Sequence, residues 1–585
     1  MHGGTLAALV AAATLAIPAA AQADVPVSVG SRPSPFPQNK QNEPAVAVDP
    51  VNSSIVIGGS NDEIDEPSCD GSSCPFVQGI GNSGVYWSTD GGGSWTQPDY
   101  TGYSARTGAG GTEGALGTGL IGTLPNYDTA GLVSDGDPAV AWGPAPGPNG
   151  FNWTNGERAY YANLSANFAS TKSDEAFKGY EAIAVSHTLN LANAIAGMNS
   201  GWSKPAIVSD TRQSSSTFSD KEAVWADNAA TSKFFGNVYI CWTDFRSATL
   251  TGNGNAPIML SRSTDGGDTW SRGIQLTAAH NNASAGGRQG CDMRTDSAGN
   301  LYIFFSDSAD KSEAVKEVRS TDGGKTIGKP QVVTSETNPG GPSVVRAGEE
   351  DNIDGVAGSR TDDFPHVSIA NGAPTGEVAS NKIALAWDDG GSGLGDEHIY
   401  LKMSADGTNW SPRQDLAESG DRPAMPSVAL SPNGRDVYLV YSAFLDPFRW
   451  HVGEVSLTQS DPDARFYQGV VRHADVSGTS ISDLQTLSRG GTGDGRASSA
   501  NALIDEFLGD YNQVSATNAG AVALYITGQN SDQCQAINDY RDSLVNEVQD
   551  GTAAAEAPAP TSACGTDNRF GNTDIYGLAA SDPTP

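Results

Sequence analysis

Ser88-Thr89-Asp90-Gly91-Gly92-Gly93-Ser94-Trp95 decides the fold, because it returns three times. The copies are Ser263-Thr-Asp265-Gly-Gly-Asp-Thr269-Trp270, Ser320-Thr-Asp322-Gly-Gly-Lys-Thr326-Ile327 and, one residue shorter, Ser404-Ala-Asp406-Gly-Thr-Asn409-Trp410. Each reads as a tight hairpin turn. The Asp carboxylate accepts hydrogen bonds from the turn backbone, the glycines take dihedrals closed to other residues, and the Trp packs beneath. Repetition of one turn along a chain marks a repeat architecture.

A second element recurs beside these boxes: an inner-strand pattern x-P-A-V-A followed by a turn and an apolar strand. It runs Glu43-Pro-Ala-Val-Ala47 with Ile55-Val-Ile57, then Asp137-Pro-Ala-Val-Ala141 with Tyr160-Tyr161, then Lys221-Glu-Ala-Val-Trp225 with Val238-Tyr-Ile-Cys-Trp242. Gly290-Cys-Asp-Met-Arg294, Phe364-Pro-His-Val-Ser368, Met425-Pro-Ser-Val-Ala429 and Tyr511-Asn-Gln-Val-Ser515 complete seven units. Measured at positions 44, 138, 222, 291, 365, 426 and 512, the spacings are 94, 84, 69, 74, 61 and 86 residues. Each is long enough for a four-stranded blade with loops. The expected fold is therefore an all-β propeller of seven four-stranded blades, with six as the alternative.

The second unit keeps its strands but has lost its box, around Ser186-His-Thr188 and Gly201-Trp202. The last unit offers three strands ending at Asp574-Ile-Tyr-Gly-Leu578, and Val25–Val29 is the candidate fourth, a seam that hides both sheet edges. Little helix is expected except over Asp532–Asp550. Loop insertions fall at about 102–133, 143–157, 336–360 and 528–568, within one domain spanning 24–585.

Residues 1–23 read as a secretory signal, an apolar run from Leu6 to Ala20 leading to Ala21-Gln22-Ala23. No later segment has the run of apolar residues that a bilayer span needs. The expected product is secreted, extracellular or periplasmic, and monomeric. Six cysteines are an even set for an oxidising compartment, and their spacing suggests Cys69 with Cys74, Cys241 with Cys291 and Cys534 with Cys564, without settling connectivity. With 34 Lys and Arg against 68 Asp and Glu, the net charge of −34 repels nucleic acid and excludes it as a partner.

Repeated boxes on an all-β repeat chain resemble the sialidase superfamily and its BNR-repeat relatives, over roughly residues 42–582. The resemblance implies a glycan-acting propeller with its site at the central depression, and an extracellular glycan or glycoprotein as partner. Family sialidases hold the substrate carboxylate with three arginines, the first in an R-I-P motif, and use a Tyr nucleophile assisted by Glu with an Asp acid/base. The comparable strand here reads Asn42-Glu43-Pro44-Ala45, with acid where the family has arginine. Two functions follow: a glycoside hydrolase of sialidase-like type, or a non-catalytic propeller that binds extracellular glycan or protein.

Candidate site residues are those where one repeat breaks its sisters' pattern. The fourth inner strand carries Asp292 and Arg294, and the fifth carries His366 after Asp363, where other units have small apolar residues. An acid, a cation and an imidazole at a channel mouth can bind a polar ligand or move protons. They also serve as an internal ion pair with a hydrogen-bonded histidine. Acids recur at inner-strand starts, as Glu43, Asp137, Asp220, Glu222, Asp363 and Asp510. Such a ring can take a hard cation or a cationic sugar, or supply a catalytic pair, or simply cap turns. No cofactor is required by the pattern. Ca²⁺ is an option at the acidic loops Asn61–Glu66 and Glu349–Gly355, which read first as solvated loops. Trp225, Trp242 and Trp387 read as core rather than as sugar platforms.

Overall fold

The computed structural model describes residues 23–28, 40–106, 114–168, 171–209, 217–246, 256–278, 287–308, 313–342, 351–353, 360–361, 364–448 and 464–584. The proposed signal at 1–23 lies almost wholly outside them, as does Asp363.

Seven antiparallel sheets form the blades, and their innermost strands are Gln41–Val48, Ala139–Pro144, Phe218–Ala226, Arg288–Thr295, His366–Ile369, Arg422–Leu430 and Gln513–Thr517. Each inner strand touches the next and the seventh touches the first, so the ring closes with seven blades and the six-bladed alternative falls. Blade 7 runs Gln513–Thr517, Gly520–Thr527, Asp574–Ser581, and its fourth strand is Val25–Pro26, with Val25 opposite Gly577. The N-terminal segment thus zips the ring shut and covers an edge that would otherwise be unpaired.

Two blades depart from the repeat. Blade 1 has three, Gln41–Val48, Val56–Asp62 and Ser83–Ser88, and its fourth is reduced to a bridge between Trp87 and Thr96. Insertion 102–133 supplies a separate hairpin, Tyr100–Ser104 with Gly117–Ile121. In blade 2 the missing box is replaced by a short helix, Leu191–Ile195, capped by the Asn190 side chain on the Asn193 N–H. Trp202 nonetheless packs where a box Trp packs, its ring 6.1 Å from Trp87. The longest helix among the described residues, Gln535–Asp550, falls within the stretch Asp532–Asp550 where apolar spacing led one to be expected.

The boxes do two jobs. In each, the Asp carboxylate closes its own turn: Asp90 Oδ1 accepts from Ser88 Oγ at 2.8 Å and from the Ser94 N–H at 2.9 Å, and the bonds repeat at Asp265, Asp322 and Asp406. The turn then docks on the preceding blade. Gly92, at φ 93°, sits so close to blade 7 that a Cβ there would lie 3.0 Å from Val522. Gly267, at φ 94°, meets Tyr160 of blade 2 at the same distance. An arginine of the preceding blade donates to the box backbone in three cases: Arg158 to Gly266, Arg262 to Gly323 and Arg319 to Gly407. These positions therefore need glycine for both dihedral and space.

The six cysteines pair as Cys69–Cys74, Cys241–Cys291 and Cys534–Cys564. The second joins the second strand of blade 3 to the inner strand of blade 4. Trp242 and Trp387 are core, while Trp225 is only partly buried and donates to Thr295 Oγ1 at 2.9 Å.

The acidic loop Asn61–Glu66 is not solvated. Asp62, Glu63, Asp65 and Glu66 are all buried. Asp62 accepts from Gln41, Tyr86, Gln97 and the Ile64 N–H, Glu63 pairs with Lys40 at 3.1 Å, and Glu66 accepts the Val77 N–H with both oxygens. The strand-end acids fold inward because blade 1 and its inserted hairpin supply donors there, which no periodicity in the loop reveals. Burial pushes Glu63 and Asp65 up to about 7 and Glu66 up to about 8.

For such a group, stability is fully present below the unfolded-chain value near 4.5 and is lost as pH rises through the folded value. Glu66→Gln should therefore leave stability at pH 4 nearly unchanged and raise it at pH 8, by on the order of a few kcal/mol. Chemical denaturation at both pH values is the measurement. An equal change at both would show that Glu66 does not titrate in this window.

Candidate functional site

The site is built by a repeated backbone irregularity. Five inner strands carry, in their first four residues or just before them, a residue in the left-handed region: Glu43 (φ 56°), Asp137 (50°), Lys221 (56°), Gly290 (63°) and Met425 (58°). In blades 1, 3, 4 and 6 a register shift of the inner strand brackets this residue, the mark of a β-bulge. Four of the five are not glycine, a conformation costly enough to need outside support. Some of that support is visible: the Lys221 N–H donates to Asp220 Oδ1 at 2.6 Å, and the Met425 N–H donates to Asp388 Oδ2 at 3.0 Å.

At the bulged end of the strands, side chains from distant blades meet. Lys221 of blade 3 reaches Asp510, which precedes the inner strand of blade 7, and lies 3.5 Å from Asp137 of blade 2. Blades 1 and 2 lie between blades 3 and 7, so this ammonium spans the central axis. Arg360, from insertion 336–360, grips Asp510 with Nε and Nη2, both at 2.6 Å, and comes within 3.9 Å of Glu43. Glu43 accepts the Asp510 N–H at 3.0 Å and Asn61 Nδ2 at 2.9 Å. Asn61 Oδ1 in turn accepts the Asp137 N–H at 2.6 Å. The Cys241–Cys291 bridge anchors the Lys221 bulge, with Cys291 Sγ 3.7 Å from the Lys221 carbonyl. Phe364 lies under the ammonium, 5.7 Å from ring centre to Nζ.

Glu43 and Asp137 lie close enough for each to shift the other's titration. Burial raises Glu43 well above the ordinary range, and the charges of Asp137 and Asp510 raise it further. Burial acts on Asp137 too, but Lys221, the hydrogen bond from Glu43 and Arg360 hold it below its usual value. The two neighbouring acids are thus shifted in opposite directions, the arrangement that separates acid from base. Asp510 is lowered despite its burial, by Arg360 and Lys221. Burial pushes Asp220 up to about 7 and Glu222 well above the carboxylate range, and Tyr511 is raised by burial and by the surrounding acids. Lys221 stays charged although buried, because Asp510, Asp220 and Asp137 surround it. Exposure decides which groups a ligand can meet: the side chains of Arg360 and Asp137 are 30% and 15% exposed, Asp510 and Glu43 0% and 1%.

The acids named at the inner-strand starts thus divide. Asp137, Asp220 and Asp510 assemble around Lys221, whose charge also reaches Glu43, while Glu222 is raised by the charge of Asp137 and itself acts on Tyr511. A ring of carboxylates suggests a hard cation, yet the positions beside Asp510 and Asp137 are taken by the Lys221 ammonium.

Asp292, Arg294 and His366 are also brought together. Asp292 Oδ1 accepts from Arg294 Nη1 at 2.5 Å and from the Met293 N–H, and Oδ2 accepts the Val367 N–H at 2.9 Å. Arg294 stacks on Trp225, 4.7 Å from the ring centre. His366 lies opposite Ala386 as Asp292 lies opposite Phe304, three residues from the hairpin end in both blades, which puts the two in one layer. Burial pushes His366 down to about 4, so it is neutral. These bonds tie blade 4 to blades 3 and 5. Sequence reasoning passed over Lys221 and Arg360. Lys221 had a signal, a cation in the register of Glu43 and Asp137, whereas Arg360 lies in an insertion outside the repeat.

No family model matches this sequence, and no curated protein matches it. Among solved structures, the chain is similar to a Hadza microbial sialidase at 14% identity over 67% of this chain and 63% of that one, with a TM-score of 0.36. It is similar to the intramolecular trans-sialidase of Ruminococcus gnavus at 12% identity, covering 72% and 94%, with a TM-score of 0.40. The Penicillium chrysogenum α-L-arabinanase aligns at 12% identity, covering 75% and 92%, with a TM-score of 0.38. Similarity at this level assigns neither family nor activity, and the fold rests on the strand pairing described above.

Proposed function

We propose that the chain is a glycan-acting propeller enzyme, a glycoside hydrolase whose proton-transfer machinery is the Glu43–Asp137 pair at the mouth of the central channel. The observation that carries this reading is the cluster in which Asp137 and Glu43, two neighbouring acids shifted in opposite directions, meet Lys221 and Arg360. Asp137 is the accessible partner and meets the substrate. Glu43 lies behind it, keeping the proton that Asp137 takes up or returns. Lys221 and Arg360 stabilise negative charge at the mouth. Arg360 comes from an insertion, the part of a propeller best placed to set substrate preference.

Three disulfides suit folding in an oxidising compartment, and no helix of the described residues is long and apolar enough to cross a membrane. We place the protein outside the cytoplasm on that basis. The sealed positions of Glu43 and Asp510 favour one other reading, a propeller that only binds glycan or protein and uses the ion network to stiffen its mouth.

The two are separated by incubating the full chain with labelled oligosaccharides that include sialosides, uronosides and neutral arabinosides, recording cleavage and binding. The enzyme reading expects cleavage of one class, lost in Asp137→Asn at unchanged melting temperature. Binding without cleavage across the panel would leave the adhesive propeller.

A further inference from the structure

A second cluster lies far from the channel mouth, at the outer side of blade 6 where it meets the end of blade 7. The third strand of blade 6, Phe466–Ser477, places His473 directly opposite Tyr438 of the second strand, Asp436–Phe444, and Asp475 opposite Asp436. Asp582 arrives from the residues just after the blade 7 strand Asp574–Ser581, its backbone held by the Ala519 carbonyl at 2.9 Å. His473 Nε2 faces three carboxylates: Asp436 at 3.4 Å, Asp582 at 3.8 Å and Asp475 at 4.0 Å. One donor atom each from Asp436, His473 and Asp582 lies within 4.8 Å of the others.

These separations are too long for good imidazole–carboxylate hydrogen bonds, which close to about 2.7–3.2 Å. They match ligand atoms arranged about a common ion, since donors roughly 2.0–2.2 Å from one metal sit about 3–4 Å apart. Burial agrees: the His473 side chain is fully buried, and those of Asp436 and Asp582 are nearly so. A second and independent sign is Tyr438. Its ring centre lies 5.0 Å from that of His473 with the planes tilted at 53°, its side chain is fully buried, and its hydroxyl has no hydrogen-bond partner. The charges of Asp436, Asp582 and Asp475 all act on that hydroxyl, so an unpartnered polar group lies beside the same acids. The other polar contacts of the cluster come from Thr584, which donates to Asp582 Oδ1 through N–H at 2.8 Å and Oγ1 at 3.4 Å, and to Asp475 Oδ1 through Oγ1 at 2.5 Å.

We propose that Asp436, His473 and Asp582 form a binding site for a divalent metal of the zinc class, with Asp475 as a fourth, more exposed donor. One imidazole with two or three carboxylates suits Zn²⁺ or a similar ion, whereas a Ca²⁺ site is built from oxygen alone. The ion would bridge two strands of blade 6 to the segment that follows the third strand of blade 7. That strand also pairs with Val25–Pro26, so the metal would clamp the ring next to its closure seam. The role is structural, separate from the channel mouth, and independent of the glycosidase reading.

The test uses the full chain, treated with chelator, dialysed and titrated with Zn²⁺, with Ca²⁺ as control. Metal content by mass spectrometry should reach about one equivalent, and the melting temperature should rise with Zn²⁺ and not with Ca²⁺. His473→Gln and Asp582→Asn should each weaken Zn²⁺ binding at least roughly tenfold. Asp582→Asn lies at the chain's end beyond the last strand and should fold normally, so it keeps the test decisive if the buried histidine variant does not. Retention of less than about a tenth of an equivalent by the wild-type chain, or Zn²⁺ binding to Asp582→Asn at wild-type strength, overturns the site.

Discussion

Glu43→Gln should lower turnover on whichever glycan the chain cleaves by about 10²–10⁴-fold while leaving the fold intact. Glutamine is close to the neutral form that burial already imposes on Glu43. It can accept the Asp510 N–H as Glu43 does and donate its amide N–H to Asp137, so the local hydrogen bonds largely survive. Only the bond from Asn61 loses its acceptor. What glutamine cannot do is release a proton. The wild-type pH profile should be bell-shaped, limited at low pH by the lowered member of the pair and at high pH by the raised one. In the variant the alkaline limb should vanish. Kinetics of kcat/KM against pH, beside melting curves, check this. Turnover within threefold of wild type with both limbs in place would remove Glu43 from the chemistry.

Lys221→Met should destabilise the chain by about 3–5 kcal/mol at neutral pH, the cost of leaving buried carboxylates without their counter-ion. The substitution isolates charge from backbone strain, because Met425 occupies the equivalent bulge of blade 6 at φ 58° while Lys221 is at 56°. Arg360 still grips Asp510, so the lower half of that range is expected. The sign with pH is definite. Without the ammonium, Asp137 loses the partner that keeps it ionised, and its folded value rises. An acid raised on folding gives stability that is present at low pH and lost as pH climbs, so the deficit should be small near pH 4 and full by pH 8. The acid limb of any activity profile should move to higher pH for the same reason. Denaturant titrations at the two pH values provide the comparison. A deficit independent of pH would mean that Lys221 serves packing rather than charge balance.

Much of the architecture was legible locally. The boxes at Asp90, Asp265, Asp322 and Asp406 are contained within eight residues or fewer, so their hydrogen bonds follow from the residues themselves. The seven inner strands and the closing segment at Val25 announce themselves through short apolar patterns and an unpaired edge. The candidate site was half legible. Glu43 and Asp137 could be picked out as acids at one register position, and Asp220 and Asp510 as acids one residue earlier in theirs, since register within a repeat translates directly into a layer around the axis. That same register carried the attention to Asp292, Arg294 and His366, where a pattern breaks, although the structure spends their hydrogen bonds on joining blades.

The sequence only suggested the blade count and the cysteine pairs; what it determined by itself is the repeat: the turn chemistry, the inner-strand pattern and the acidity of the channel-facing positions. These depend on interactions between near neighbours, or on symmetry that copies one unit into seven. Only the tertiary structure decided which acids meet which cations. Lys221 and Asp510 stand 289 residues apart, and Arg360 and Asp510 stand 150 apart. Ring closure brings these groups together at the axis, and their protonation states follow from burial and from charges contributed by other blades. The same holds for Asp62–Glu66, which read as a wet loop and became a buried hub once an inserted hairpin folded over it. Burial and Coulomb energy depend on distance in space, and a chain that closes into a ring makes its most distant residues neighbours.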